Sequence, residues 1–86
     1  MPSALKSVTQ LRAAVGDYLE GKTGRASVLG AIFTLDKEIG AAWMSSGDAR
    51  LRELQLRLND LTVALKSRDA DGVRRALMAF DEARPP

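Results

Sequence analysis

Leucine recurs at alternating intervals of three and four residues in the stretch LRELQLRLNDLTVAL, residues 51–65. This spacing places the leucine side chains on one side of an α-helix, because 3.6 residues complete each turn. Polar and charged side chains fill most of the positions between them. The stretch therefore predicts an amphipathic helix that packs through Leu51, Leu54, Leu58, Leu61 and Leu65.

Short clusters of Gly, Ser, Thr and Asp interrupt the apolar periodicity on both sides of this helix. Gly21 and Gly47 are suited to the left-handed conformation that ends a helix. Asp48 and Asp69 are suited to cap the amino-terminal ends of the helices that follow them. We therefore predict four helices, over about residues 3–20, 24–46, 48–67 and 69–84, the last of which ends before Pro85 and Pro86.

The first helix has two candidate starts. Either Ser3 is its N-cap, or Ser7 and Gln10 form a capping box. Apolar side chains follow at helical spacing up to Gly21. The predicted stripe of this helix comprises Leu5, Val8, Leu11, Val15, Tyr18 and Leu19.

The connections between the predicted helices are only a few residues long, and such connections place consecutive helices side by side. The predicted fold is all-α, a small antiparallel four-helix bundle or a pair of helical hairpins, in one domain of residues 1–86. Strands are not expected, because apolar and polar residues do not alternate over any suitable run. A chain of 86 residues builds a small core, so association with another chain would add stability.

The second helix carries few charges, of which Lys37 and Glu38 are the clear ones. Large apolar side chains occupy one arc of its circumference, and the opposite side is mostly small. Such a helix either forms the centre of the monomer or contacts a second chain through its small side. The apolar arc comprises Val28, Leu29, Ile32, Phe33, Leu35, Ile39, Gly40, Trp43 and Met44; the small side comprises Ser27, Gly30, Ala31, Thr34, Ala41 and Ala42, of which Gly30, Thr34 and Ala41 are the predicted partner contacts.

One carboxylate, that of Asp36, falls near the middle of this apolar arc. An unpaired charge in such a position costs several kcal/mol when it is buried, so it needs a partner. Arg12 lies within the apolar stripe of the first helix. We predict that Arg12 and Asp36 form a buried polar pair. The alternatives are that the side chain reaches water, or that Asp36 anchors an arginine of a partner protein.

The third helix carries a second apolar spot on the side opposite its leucines. Leu56 and Val63 lie one heptad apart, with Arg52 and Asn59 beside them. Scattered surface leucines are ordinary in monomeric proteins, whereas a helix with two apolar sides also suits a position between the core and a second protein. The predicted partner-binding residues here are Leu56, Val63, Arg52 and Asn59, together with Met78 of the fourth helix.

Histidine and cysteine are absent from the chain. Their absence excludes disulfides, thiolate metal sites and nucleophiles activated by histidine. Gly21-Lys22-Thr23 lacks the upstream glycine and the strand of a phosphate-binding loop, and the segment from Asp69 to Gly72 lacks the later ligands of a calcium loop. We predict no enzyme, and therefore no catalytic residue, cofactor or bound metal.

The 13 Lys and Arg residues exceed the 11 Asp and Glu residues by two. Acidic residues interleave the arginines of the second half, which favours a solvated, salt-bridged surface over a nucleic-acid site. No apolar run reaches the roughly 18–20 residues of a membrane helix, and the start of the chain lacks the pattern of a signal peptide. A soluble cytoplasmic protein without membrane contact is expected.

These features favour a small non-enzymatic protein-interaction module that self-associates as a homodimer or docks apolar helix faces onto a larger protein. We expect a regulatory, adaptor or inhibitor protein, and the alanine-rich composition with more Arg than Lys favours a bacterial or phage origin. The alternative is a dimeric nucleic-acid-binding regulator in which two chains combine their clustered Arg residues.

Overall fold

The computed structural model describes residues 6–83, and this part of the chain folds into four α-helices without a strand. The all-α class is therefore confirmed. Three predicted features lie outside the described residues: the N-cap at Ser3, the stripe residue Leu5 and the stop at Pro85 and Pro86. The helices are α1 (Ser7–Leu19), α2 (Arg25–Ser46), α3 (Ala49–Lys66) and α4 (Ala70–Ala83).

The start of α1 is capped from another helix. The N-cap residue is Lys6, and no side-chain cap hydrogen bond is made from that position. Instead, the backbone amides of Lys6 and Ser7 donate to the Glu38 carboxylate of α2, at 3.1 and 3.0 Å. The predicted capping box of Ser7 and Gln10 is wrong, because Ser7 is already a helical residue and Glu38 satisfies the free amides at this positive helix end.

Glycines in the left-handed conformation follow α1 and α2. Gly21 has a φ of 78° and Gly47 a φ of 68°. The Gly47 amide donates to the Trp43 carbonyl at 2.7 Å, which satisfies one of the last carbonyls of α2. Both predicted glycine stops are confirmed.

Aspartate side chains cap α3 and α4. Asp48 accepts a hydrogen bond from the Arg50 amide at 3.0 Å, and Asp69 accepts one from the Gly72 amide at 2.9 Å. The Arg50 guanidinium also donates to Asp48, and the hydrogen bonds from this side chain and backbone lower the pKa of the Asp48 carboxyl. The stabilisation from this depressed pKa is present above the unfolded-state pKa and is lost as the pH falls through the lowered value. Both predicted caps are confirmed.

Arg68 follows α3 with a φ of 56°, a left-handed conformation that costs an L-residue energy. The Arg68 amide donates to the Leu65 carbonyl, and the Asp69 amide donates to the Ala64 carbonyl. These two hydrogen bonds form a Schellman motif, in which glycine is preferred at the position that Arg68 occupies.

We expect Arg68→Gly to raise the free energy of unfolding by about 0.5–1 kcal/mol, because it removes this strain. The matched variant Gly47→Ala introduces the same strain after α2, so it should lower the free energy of unfolding by about 1 kcal/mol. Urea denaturation followed by circular dichroism measures both changes. A loss of stability in Arg68→Gly would contradict the strain argument.

The four helices surround one cluster of buried apolar side chains. α1 packs against α2, α2 against α3 and α3 against α4, and a smaller contact joins α1 to α4. All five leucines of the seam in α3 are buried, as their spacing predicted. The core comprises Val8, Leu11, Val15, Val28, Ala31, Ile32, Leu35, Ile39, Leu51, Leu54, Leu58, Leu61, Leu65, Val73, Ala76 and Phe80.

α2 faces the core with a different arc from the predicted one. Ala31, assigned to the small side, is buried, whereas Phe33, Trp43 and Met44 of the predicted apolar arc are exposed. Phe33 lies about 160° around the helix from the buried Leu35, so the two side chains cannot both face the core. The arc was misplaced because a helix that is apolar or small almost all round does not define its own inward side.

Candidate interaction surface

The predicted pair of Arg12 and Asp36 does not form. Arg12 donates instead to Asp81 Oδ1 at 2.6 Å, which links α1 to α4. Asp36 is exposed on α2, and among residues 6–83 no polar or charged side chain is buried. The prediction of a buried polar pair is wrong, because Arg12 pairs with Asp81 of α4 and Asp36 lies outside the inward arc of α2. The alternative of a side chain that reaches water is the one that holds for Asp36.

The outward side of α3 presents an apolar stripe. Leu56 and Val63 are each 56% exposed, although most apolar side chains of this helix are buried. They lie seven residues apart and therefore share one side of the helix. Arg52 and Asn59 are exposed beside them. These four side chains are accessible to a partner, and their contact with one stays a prediction.

Two large apolar side chains of α2 are exposed next to this stripe. α2 meets α3 at Gly40, where an added Cβ would lie 4.0 Å from Gln55 Nε2. Phe33 precedes Gly40 by seven residues and Met44 follows it by four, so all three share one side of α2. Phe33 is 64% exposed and Met44 84% exposed.

Leu56 directly follows Gln55, so the outward sides of α2 and α3 adjoin at this contact. Apolar side chains on two adjoining helices make a broader surface than one helix stripe offers. We call this surface the α2–α3 face and define it by Phe33, Gly40, Met44, Leu56 and Val63.

Charged side chains border the α2–α3 face. Lys37 Nζ lies 5.3 Å from the centre of the Phe33 ring, a cation–π contact that contributes about 0.5–1 kcal/mol at an exposed site. Asp36 and Arg52 are exposed, and neither side chain makes a hydrogen bond or ion pair with any residue that the structure describes. Two opposite charges at the edge of an apolar surface are therefore without a charged partner in the described part of the chain.

Met78 is the predicted partner-binding residue on α4. Met78 is 61% exposed. An open groove of about 380 Å³ separates α3 from α4, and Val63, Ala64, Arg75 and Ala76 contribute to its walls. Met78 is not among the residues that line this groove, so its contact with a partner beside Val63 stays a prediction.

The predicted contacts on the small side of α2 lie on another surface. Gly30 and Thr34 line an open groove of about 580 Å³ between α1 and α2, with Ala13 and other small or polar residues on its walls. Ala41 is exposed on the same helix but does not line this groove. The Thr34 hydroxyl donates a hydrogen bond to the Gly30 carbonyl at 3.1 Å, so this hydroxyl hydrogen is not available for a hydrogen bond to a partner.

Arginines of the second half pair with neighbouring acids. The Arg57 guanidinium lies 2.7 Å from the Glu53 carboxylate and 3.3 Å from the Asp60 carboxylate. The hydrogen bond to Glu53 is the main reason that the pKa of Arg57 is raised. Acidic neighbours offset much of the positive charge that a phosphate backbone would require. The further pairs in this half are Arg50 with Asp48, Arg74 with Asp71 and Arg75 with Asp69.

Among residues 6–83, no group of three acidic side chains could hold a metal ion. No helix in this range has both the length and the apolar character required to cross a bilayer. Comparison of the chain with protein family models, with curated proteins and with solved structures found no match.

Proposed function

We propose that this chain is a small non-enzymatic protein-interaction module that binds another protein chain through the α2–α3 face. The observation that carries the proposal is the exposure of Phe33, Met44, Leu56 and Val63 on two adjoining helices. A contiguous apolar patch on a small domain is a mark of a protein contact, whereas isolated apolar side chains are not. Covering these side chains removes apolar area from water, which supplies the free energy of binding.

The arrangement that we propose is an antiparallel four-helix bundle built from two hairpins. The start of α1 lies beside Glu38 in the second half of α2, which supports opposite directions for α1 and α2. The Arg25 guanidinium at the start of α2 lies 3.5 Å from the Lys66 carbonyl at the end of α3, which supports the same relation for α2 and α3. In this arrangement, the outward sides of α2 and α3 form one continuous surface along the length of the molecule.

A module of this kind acts by covering or bridging a partner's surface. That mode of action suits a regulatory, adaptor or inhibitor protein of bacterial or phage origin in the cytoplasm. Two apolar sides on α3, one in the core and one in solvent, support the proposal, since the outward side is free to contact a second chain.

Leu56→Asp tests the proposal. We expect the wild-type chain, immobilised and exposed to a lysate of its source, to retain one or more proteins that the variant does not retain. A charge placed at the centre of an apolar interface should weaken such a complex by at least about 30-fold, which corresponds to the roughly 2 kcal/mol of an interface hot spot. Binding measured with the purified partner gives the magnitude.

Thr9→Asp is the matched control, because it adds the same charge at an exposed position of α1. This variant should retain the same proteins as the wild type. Equal retention by all three chains would overturn the proposal. Binding that falls steeply with added salt and is carried by nucleic acid would also overturn it.

A further inference from the structure

Two charges of opposite sign border the α2–α3 face, one on each helix, and neither has a partner among residues 6–83. Asp36 precedes Gly40 by four residues and Arg52 precedes Gln55 by three, so each lies about one turn from the contact between the helices. Since α2 and α3 run in opposite directions in the proposed arrangement, the two charges lie on opposite sides of that contact. Along the helix axis, Arg52 is about 4.5 Å and Asp36 about 6 Å from that contact.

This placement makes the face complementary to itself. We infer that the α2–α3 face binds a second copy of this chain, packed about a twofold axis that passes near Gly40. Such an axis exchanges the two ends of the face, so Asp36 of each copy lies opposite Arg52 of the other. Two ion pairs form across the interface, as a self-complementary twofold contact requires. The inference rests on the proposed function, because it names the partner of the same surface.

The apolar residues fit the same axis. Leu56 adjoins Gln55 near the axis, so it contacts Leu56 of the second copy. Gly40 has no side chain to hold the two α2 helices apart, which allows their backbones to come close. Phe33 and Met44 lie on either side of Gly40 and are covered by the ends of the second copy. The exposed apolar side chains of both helices are thereby removed from water.

The size of the face suits a reversible dimer. α2 has 22 residues and is therefore about 33 Å long, and the molecule is 19 Å across. A face of these dimensions buries on the order of 600 Å² on each copy, or about 1,200 Å² in total, which is the lower end of the range for specific interfaces. We expect a dimer that dissociates on dilution.

Charge reversal at Asp36 and Arg52 tests the inference by sedimentation velocity over a range of concentrations. Asp36→Arg and Arg52→Asp each turn both ion pairs into like-charge contacts, so each single variant should raise the dimer dissociation constant at least tenfold. The double variant restores opposite charges and should dimerise like the wild type. An equimolar mixture of the two single variants should form a heterodimer for the same reason.

Asp17→Arg is the matched control, since Asp17 is exposed on α1 and lines the α1–α2 groove. It makes the same change in net charge as Asp36→Arg and should leave dimerisation unchanged. Circular dichroism of every variant checks that the helices remain.

A wild-type chain that stays monomeric up to about millimolar concentration would overturn the inference. So would single variants that dimerise normally, or a double variant and a mixture that stay monomeric. If the chain is monomeric but still retains a foreign protein through Leu56, only the second-copy inference fails and the proposed function stands. If the chain neither dimerises nor retains a protein, both fail.

Discussion

Phe80→Ala should lower the free energy of unfolding by about 3–5 kcal/mol, since it leaves a cavity in the buried core. Phe80 is 0% exposed and is the largest of the fully buried side chains. A core of this size rarely supplies more than about 3–5 kcal/mol of net stability. We therefore expect this variant to be largely unfolded at room temperature, as measured by circular dichroism during thermal and urea denaturation.

Met78→Ala is the control for this prediction. Met78 lies two residues before Phe80 on the same helix and is mostly exposed. Its truncation should change the free energy of unfolding by no more than about 0.5 kcal/mol, the usual range for a surface position. Equal stability of the two variants would contradict the assignment of Phe80 to the core. If only Phe80→Ala unfolds, the packing of α4 against the other helices accounts for it.

Local features of the chain were predicted correctly where nearby residues determine them. The leucines of α3 were identified because their side of the helix is sharply distinguished from the polar positions between them. Gly47 and Asp48 were identified because a left-handed stop and an aspartate cap each depend on backbone groups within a few residues. No knowledge of the other helices is needed for either inference.

Features set by contacts between helices were not predicted. Glu38 caps α1 from 31 residues along the chain, so the local capping-box pattern at Ser7 did not reveal it. Arg12 pairs with Asp81, 69 residues away, because α1 also contacts α4. When several helices carry carboxylates, sequence spacing alone does not show which carboxylate will pair with a given arginine.

The candidate surface was predicted in part. Leu56 and Val63 were recognised as accessible because the opposite side of α3 clearly forms the core. Phe33 and Met44 were assigned to the core because α2 is apolar around most of its circumference, and a helix of this kind has no distinct polar side. The signal that could have found them is their angular distance from Leu35 and Ile39, which together define one inward side.

Leu54→Asp should abolish the cooperative fold, whereas Leu56→Asp should keep it. Leu54 is one of the five buried leucines of α3 and is 0% exposed, and no buried polar or charged side chain among the described residues is available to pair with a carboxylate there. Burial of an unpaired charge costs several kcal/mol, which exceeds the expected stability of a core this small. Two positions further on, Leu56 is mostly exposed, so a carboxylate at that position stays in water.

The comparison of these two variants separates a folding effect from a binding effect. Leu54→Asp should lose its helical circular dichroism signal and its thermal transition together. Leu56→Asp should keep both and lose association, because its side chain contributes to the α2–α3 face and not to the core. If Leu56→Asp unfolds as Leu54→Asp does, then Leu56 supports the core and the α2–α3 face has lost its central residue. Retention of the fold with loss of association would instead place the free energy of binding on the outward side of α3.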